Sequence, residues 1–156
     1  MNSTVVPIVR RSARAVLIDR ELRLVTIKRT KAGVAPYWTT PGGGIEPGDV
    51  SREAALEREL LEELGAKAVI GQQLTLVTSV AEGGQSVQYF FAASLITLDE
   101  SLRTGDEHTD VHRGGYEVER IPLERLGEYD LKPTVVRDFL LENRSAVLVD
   151  LPFGIN

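Results

Sequence analysis

The chain contains no cysteine in its 156 residues, so disulfides and thiolate chemistry are both excluded. No apolar run approaches the ~18–20 residues that a membrane-spanning helix needs. The first eleven residues lack the apolar stretch and small-residue cleavage site of a signal peptide, and the reading that follows is a cytoplasmic protein. Basic residues are the minority charge, 18 against 23 acidic, giving a net −5. That balance argues against a general nucleic-acid binder, although metal ions can supply positive charge locally to an acidic enzyme that handles phosphates. Histidine is nearly absent as well. His108 and His112 are the only two, and no third nitrogen or sulfur ligand accompanies them, so a hydrated loop is the better reading of their segment. Internal repeats, low-complexity tracts and linkers are missing too. With 42% apolar residues, the expectation is one domain, residues 1–156, with a substantial core.

What is present centres on residues 41–66, PGGGIEPGDVSREAALERELLEELGA. Three consecutive glycines and two prolines exclude helix and central strand from its first part and predict a tight, shaped loop. Residues 51–64 have no glycine or proline and are rich in Ala, Leu, Glu and Arg, which predicts a helix. Ser51 or Asp49 can cap its start, and Gly65 suits its left-handed end. At ~100° per residue, Ala54, Leu56, Leu60, Leu61 and Leu64 share an apolar face interrupted by Glu57, while Glu59, Glu62 and Glu63 crowd a separate arc. Those like charges repel by ~0.2–0.5 kcal/mol per pair, and they sit toward the helix end that disfavours anions. Arg58 can relieve Glu62, but one cation does not neutralise three carboxylates. A hard divalent cation, Mg²⁺ or Mn²⁺, would suit these oxygens beside the carbonyls of a glycine loop. A solvated acidic face is the plainer reading of the glutamates taken alone.

Gly43, Asp49 and the run Arg58-Glu59-Leu60-Leu61-Glu62-Glu63-Leu64-Gly65-Ala66 together resemble the Nudix box, G-x5-E-x7-R-E-U-x-E-E-x-G-U, with U aliphatic. The resemblance implies an α/β/α sandwich, with a mixed sheet between helices. It also implies a hydrolase of nucleoside diphosphates linked to another moiety: nucleotide sugars, ADP-ribose, dinucleoside polyphosphates or oxidised nucleoside triphosphates. On that reading Glu59, Glu62, Glu63 and the Gly43 carbonyl hold the metal, and Arg58 orients the glutamates. The alternative on the same fold is a non-catalytic nucleotide-binding regulatory module. Two departures stand out. The first acidic position is Asp49, and eight residues rather than seven separate it from Arg58. The extra residue is expected between Asp49 and Glu53, where the backbone is not yet committed to helical hydrogen bonds. Asp49 would then cap the helix, leaving Arg58 to Glu62 or another acid.

Elsewhere, alternation predicts strands over residues 12–19, 22–29 and 37–40, with a polar loop over 29–36. Arg29 and Lys31 in that loop are candidates for phosphate contact. Trp38 reads as packing at the core edge, with base stacking as the alternative. A short strand is expected at 67–70, then a hairpin of 74–81 with 85–96 across Glu82-Gly83-Gly84. There Phe90 is assigned to the core and Tyr89 is a candidate for nucleobase contact. Residues 99–115 carry no periodic signal. The resemblance makes Asp106, Glu107, Asp110 and Glu117 candidates for an acid supplied from outside the box. A strand is expected at 116–123 and a helix from Pro133 to Asn143. The apolar stretch 146–156 is left to pack on its own domain or in a homodimer.

Overall fold

The computed structural model describes residues 5–104 and 114–152. Its pivot is β1 (Ile8–Ile18). Val16 and Ile18 face one side of the sheet and Ala13, Ala15 and Leu17 the other, as the two-residue period of a strand requires, and all five are buried. A strand buried on both faces must be central. β1 runs parallel to β6 (Gly84–Leu98) and antiparallel to β2 (Arg23–Lys31) and β4 (Gly42–Gly44). The mixed sheet has eight strands, in the order β5-β6-β1-β2-β3-β8, with β4 paired to β1 and β7 paired to β2. The others are β3 (Val34–Thr39), β5 (Ala66–Ala81), β7 (Gly115–Pro122) and β8 (Leu131–Lys132).

One helix covers each face. α1 (Arg52–Leu64) sets Leu56, Leu60 and Leu64 on Ala13, Ala15, Leu17 and Ile27. α2 (Thr134–Val149) sets Val136 and Leu140 on Val16, Ile18, Leu24 and Phe90, so Phe90 is core as expected. The α/β/α arrangement is therefore the observed one. Among the described residues no helix is long and apolar enough to cross a membrane.

Four local expectations are corrected. Residues 29–36 do not form a loop: β2 and β3 make a hairpin that turns at Ala32-Gly33, where Gly33 takes φ +77°. The triple glycine is not purely loop either. Gly42, Gly43 and Gly44 pair with Arg14, Ala13 and Ser12. Gly42 has φ +144°, and a Cβ there would run into the Ala13 carbonyl, so the absence of side chains is what lets this strand lie against β1. Residues 67–70 and 74–81 are parts of one long bulged strand, β5. Finally, α2 does not end at Asn143. That residue breaks helical geometry at φ −120°, ψ 21°, and the helix resumes to Val149. The segment beyond folds back on its own chain: Val147 and Leu151 are buried in the α2-side core.

Candidate active site

α1 delivers the acidic residues. Ser51 caps it, its hydroxyl accepting from the Ala54 N–H at 3.0 Å, and Gly65 ends it at φ +67°. Helical geometry is regular from Arg52 onward, so the additional residue is taken up before the first turn, as expected. The apolar face differs in detail, since Ala55 is buried while Leu61 is exposed.

Asp49 does not cap the helix; it pairs with Arg58. Arg58 Nε donates to Asp49 Oδ1 at 3.1 Å and Nη2 to Oδ2 at 2.9 Å, a two-pronged contact. The Glu46 N–H also donates to Asp49 Oδ2 at 2.8 Å, which closes the turn of residues 46–49 just ahead of the additional residue. Hydrogen bonds from Arg58 and from that backbone N–H hold the Asp49 carboxyl below its ordinary range. Arg58 is correspondingly locked in its charged form, chiefly by Asp49 and then by Glu59. It also donates to Glu59 Oε1 at 3.0 Å, to Glu62 Oε2 at 3.4 Å and to the Gly44 carbonyl at 3.0 Å. One guanidinium thus clamps loop, helix and glycine strand together.

The acidic arc is less exposed and less repulsive than the sequence implies. Glu63 is only 8% exposed. It accepts from the Gly42 N–H at 3.0 Å and from the Tyr116 hydroxyl of β7. Glu59 lies against Gly43 so closely that a Cβ on that glycine would overlap its carboxylate. Glu62 sits at the rim, paired with Arg58. Glu63 and Glu59 therefore meet two adjacent glycines, Gly42 and Gly43 respectively, and all four line a cleft of about 510 Å³.

Other candidates separate clearly. Arg29 lines this cleft, its guanidinium 4.8 Å from the centre of the Tyr116 ring. Lys31 is exposed at the end of β2 and lies outside the cleft lining. Trp38 packs at the core edge as read, edge-on to Tyr129 at 5.0 Å and bonded to Glu119. Tyr89 does not reach the cleft. It is buried on the α1 face with the Arg52 guanidinium 3.8 Å over its ring. Glu117 is exposed and alternates with Tyr116, so it points to the opposite face from the box glutamates. Asp106, Glu107, His108, Asp110 and His112 lie outside the described residues.

Sequence reasoning missed Tyr116, Arg14, Arg10 and Lys132, all of which line the cleft. Only Arg14 carried a legible signal, a cation inside the apolar run of β1.

The NUDIX domain family model matches residues 8–139. The chain belongs to the Nudix family. Its curated relatives include a Bacillus subtilis (strain 168) protein provisionally described as an 8-oxo-dGTP diphosphatase, 31% identical over 95 residues, which are 61% of this chain and 59% of that one. A CTP pyrophosphohydrolase of Escherichia coli (strain K12) is 39% identical over 59 residues, 37% of this chain and 43% of the relative. The matches thus span about half the length of these relatives. A NUDIX hydrolase from Nitrosomonas europaea shares the fold at TM-score 0.67, with 16% identity, 88% of this chain and 89% of that one covered.

Nudix hydrolases generally use divalent metals, and the donor chemistry here fits one. Hard carboxylate oxygens meet bare glycine backbone at a place that a side chain would fill. In this conformation Arg58, the Gly42 N–H and Tyr116 engage those oxygens, and among the described residues no three acidic or histidine side chains already form a cage.

Proposed function

We propose that the chain hydrolyses the phosphoanhydride bond of nucleoside diphosphate derivatives, with Mg²⁺ or Mn²⁺ as cofactor. The observation that carries this reading is the meeting of Glu59 and Glu63 at the Gly42–Gly43 backbone inside a cleft with cationic walls. Glu59, Glu63 and the Gly43 carbonyl would hold the cation, with Glu62 contributing from the rim. When bound, the cation would neutralise the pyrophosphate and acidify an attacking water. Arg58 fixes Glu59 relative to the glycine strand through its bonds to Asp49 and the Gly44 carbonyl. Tyr116 and the Gly42 N–H fix Glu63 in the same way. The cationic walls receive the phosphates. Both curated relatives carry names of the same reaction type.

The test is product analysis on nucleotide sugars, ADP-ribose, dinucleoside polyphosphates and nucleoside triphosphates, with and without Mg²⁺. Metal-dependent release of a mononucleotide, phosphate or pyrophosphate supports the reading. Tight binding without turnover would instead identify a regulatory nucleotide-binding module.

A further inference from the structure

We infer that the cleft selects a substrate with at least three linked phosphates, such as a nucleoside triphosphate or longer polyphosphate, over a nucleotide sugar, and that Arg14 reads the additional charge. The inference rests on the hydrolase reading above and narrows its substrate class.

The cleft has an excess of cations within an acidic chain, four against the two carboxylates of Glu59 and Glu63. Arg10, Arg14, Arg29 and Lys132 all line it, whereas the chain as a whole carries a net −5. Arg14 is the telling one. It stands in the middle of β1 between the fully buried Ala13 and Ala15, and is itself half-buried. Its guanidinium donates to Gln88 Oε1 at 3.2 Å, to the Gly42 carbonyl at 3.2 Å and to the Thr40 carbonyl at 3.4 Å. All three acceptors are neutral. Arg23, Arg58, Arg103 and Arg125 each face a carboxylate at 2.9–3.0 Å instead. A cation that no carboxylate bonds directly, held rigidly at a cleft wall by neutral acceptors, is matched by an arriving anion.

Its position relative to the glutamates sets which anion that is. Gly42 is bonded by both groups: its N–H donates to Glu63 and its carbonyl accepts from Arg14. One strand residue spans ~3.3 Å, so the guanidinium lies the next group along from the carboxylate that serves the scissile pyrophosphate. Arg10 continues the basic row on the same face of β1 four residues away, beside Gly44. A third phosphate would meet this row, whereas the uncharged ring of a sugar would leave it unmatched. The cleft offers little to a base by comparison. Tyr116 is the aromatic in its lining, and its hydroxyl is committed to Glu63 and its ring to Arg29.

Calorimetric titration of the full chain with inorganic tripolyphosphate and with pyrophosphate tests this, at low salt because exposed charges are screened beyond ~10 Å at 0.1 M. The wild type should prefer tripolyphosphate by about tenfold, the worth of one charge-assisted contact. Arg14→Gln should bring that ratio close to one, and Arg14→Lys should keep most of it. If Arg14 only braces the glycine strand, Arg14→Gln weakens both ligands equally and the ratio stands, which overturns the proposal. In turnover, kcat/KM for a nucleoside triphosphate should exceed that for a nucleotide sugar by at least ~10-fold, and equal values would also overturn it. A wild type that turns over neither defeats the hydrolase reading, while the tripolyphosphate-to-pyrophosphate ratio still decides whether the cleft selects charge.

Discussion

Glu63 and Gly43 make separable contributions, and single substitutions expose them. Repulsion on the acidic arc would make neutralisation of Glu63 stabilising, but this carboxylate is buried and bonded to Gly42 and Tyr116. Glu63→Gln should therefore lower stability by ~1–3 kcal/mol, read by thermal or urea unfolding, and should remove most turnover. Gly43→Ala should act on function alone. The three atoms nearest its Cβ all belong to the end of the flexible Glu59 side chain, so the melting temperature should hardly move while activity falls. Gly42→Ala should differ sharply, because it demands φ +144° and strikes the Ala13 carbonyl. Strain of this kind costs at least ~1–3 kcal/mol, and unfolding experiments on the two alanine variants should rank them in that order. Asp49 adds a pH signature. Its folded pKa is depressed by Arg58, so its contribution to stability is fully present above the ordinary value of 3.8. That contribution is lost as pH falls through the depressed folded value. Melts between pH 5 and pH 2 should show the loss, and Asp49→Asn should flatten it over the same range.

At the scale of elements, α1 was legible because its determinants are local. Helix formers, a serine cap and a terminal glycine all act within a turn or two of one another. Its glutamates therefore fall in register, with the additional residue absorbed before Arg52. The pairing of Asp49 with Arg58 was not legible, since it depends on how the loop closes through the Glu46 N–H. The glycine strand was hidden for a related reason. Glycine run and proline read as loop, and only the neighbouring β1 turns that run into a strand. Leu60 ties element to core. It is fully buried between α1 and β1, so Leu60→Ala should cost roughly 2–5 kcal/mol in urea unfolding, against a near-neutral Leu61→Ala on the exposed side.

Over the whole molecule, charge is sorted in a way that composition conceals: the chain is acidic, yet the cleft at Glu59 and Glu63 is also lined by three arginines and a lysine. The box glutamates were readable from spacing, but Arg14, Tyr116 and Lys132 come from β1, β7 and β8 and meet only when the sheet closes. For the same reason Tyr89 looked available to a base until the start of α1 brought Arg52 over its ring. The claim that everything else depends on is that these separated pieces assemble a metal-dependent hydrolytic centre on Glu59 and Glu63. Binding of Mn²⁺, followed by electron paramagnetic resonance, and hydrolysis of a nucleoside polyphosphate should be measured on the same samples of wild type, Glu59→Gln and Glu63→Gln. Wild type should bind the ion and turn over only in its presence, and both variants should lose binding and rate together while staying folded. Full turnover in the presence of chelator, or undiminished metal-dependent rates in both variants, would contradict it.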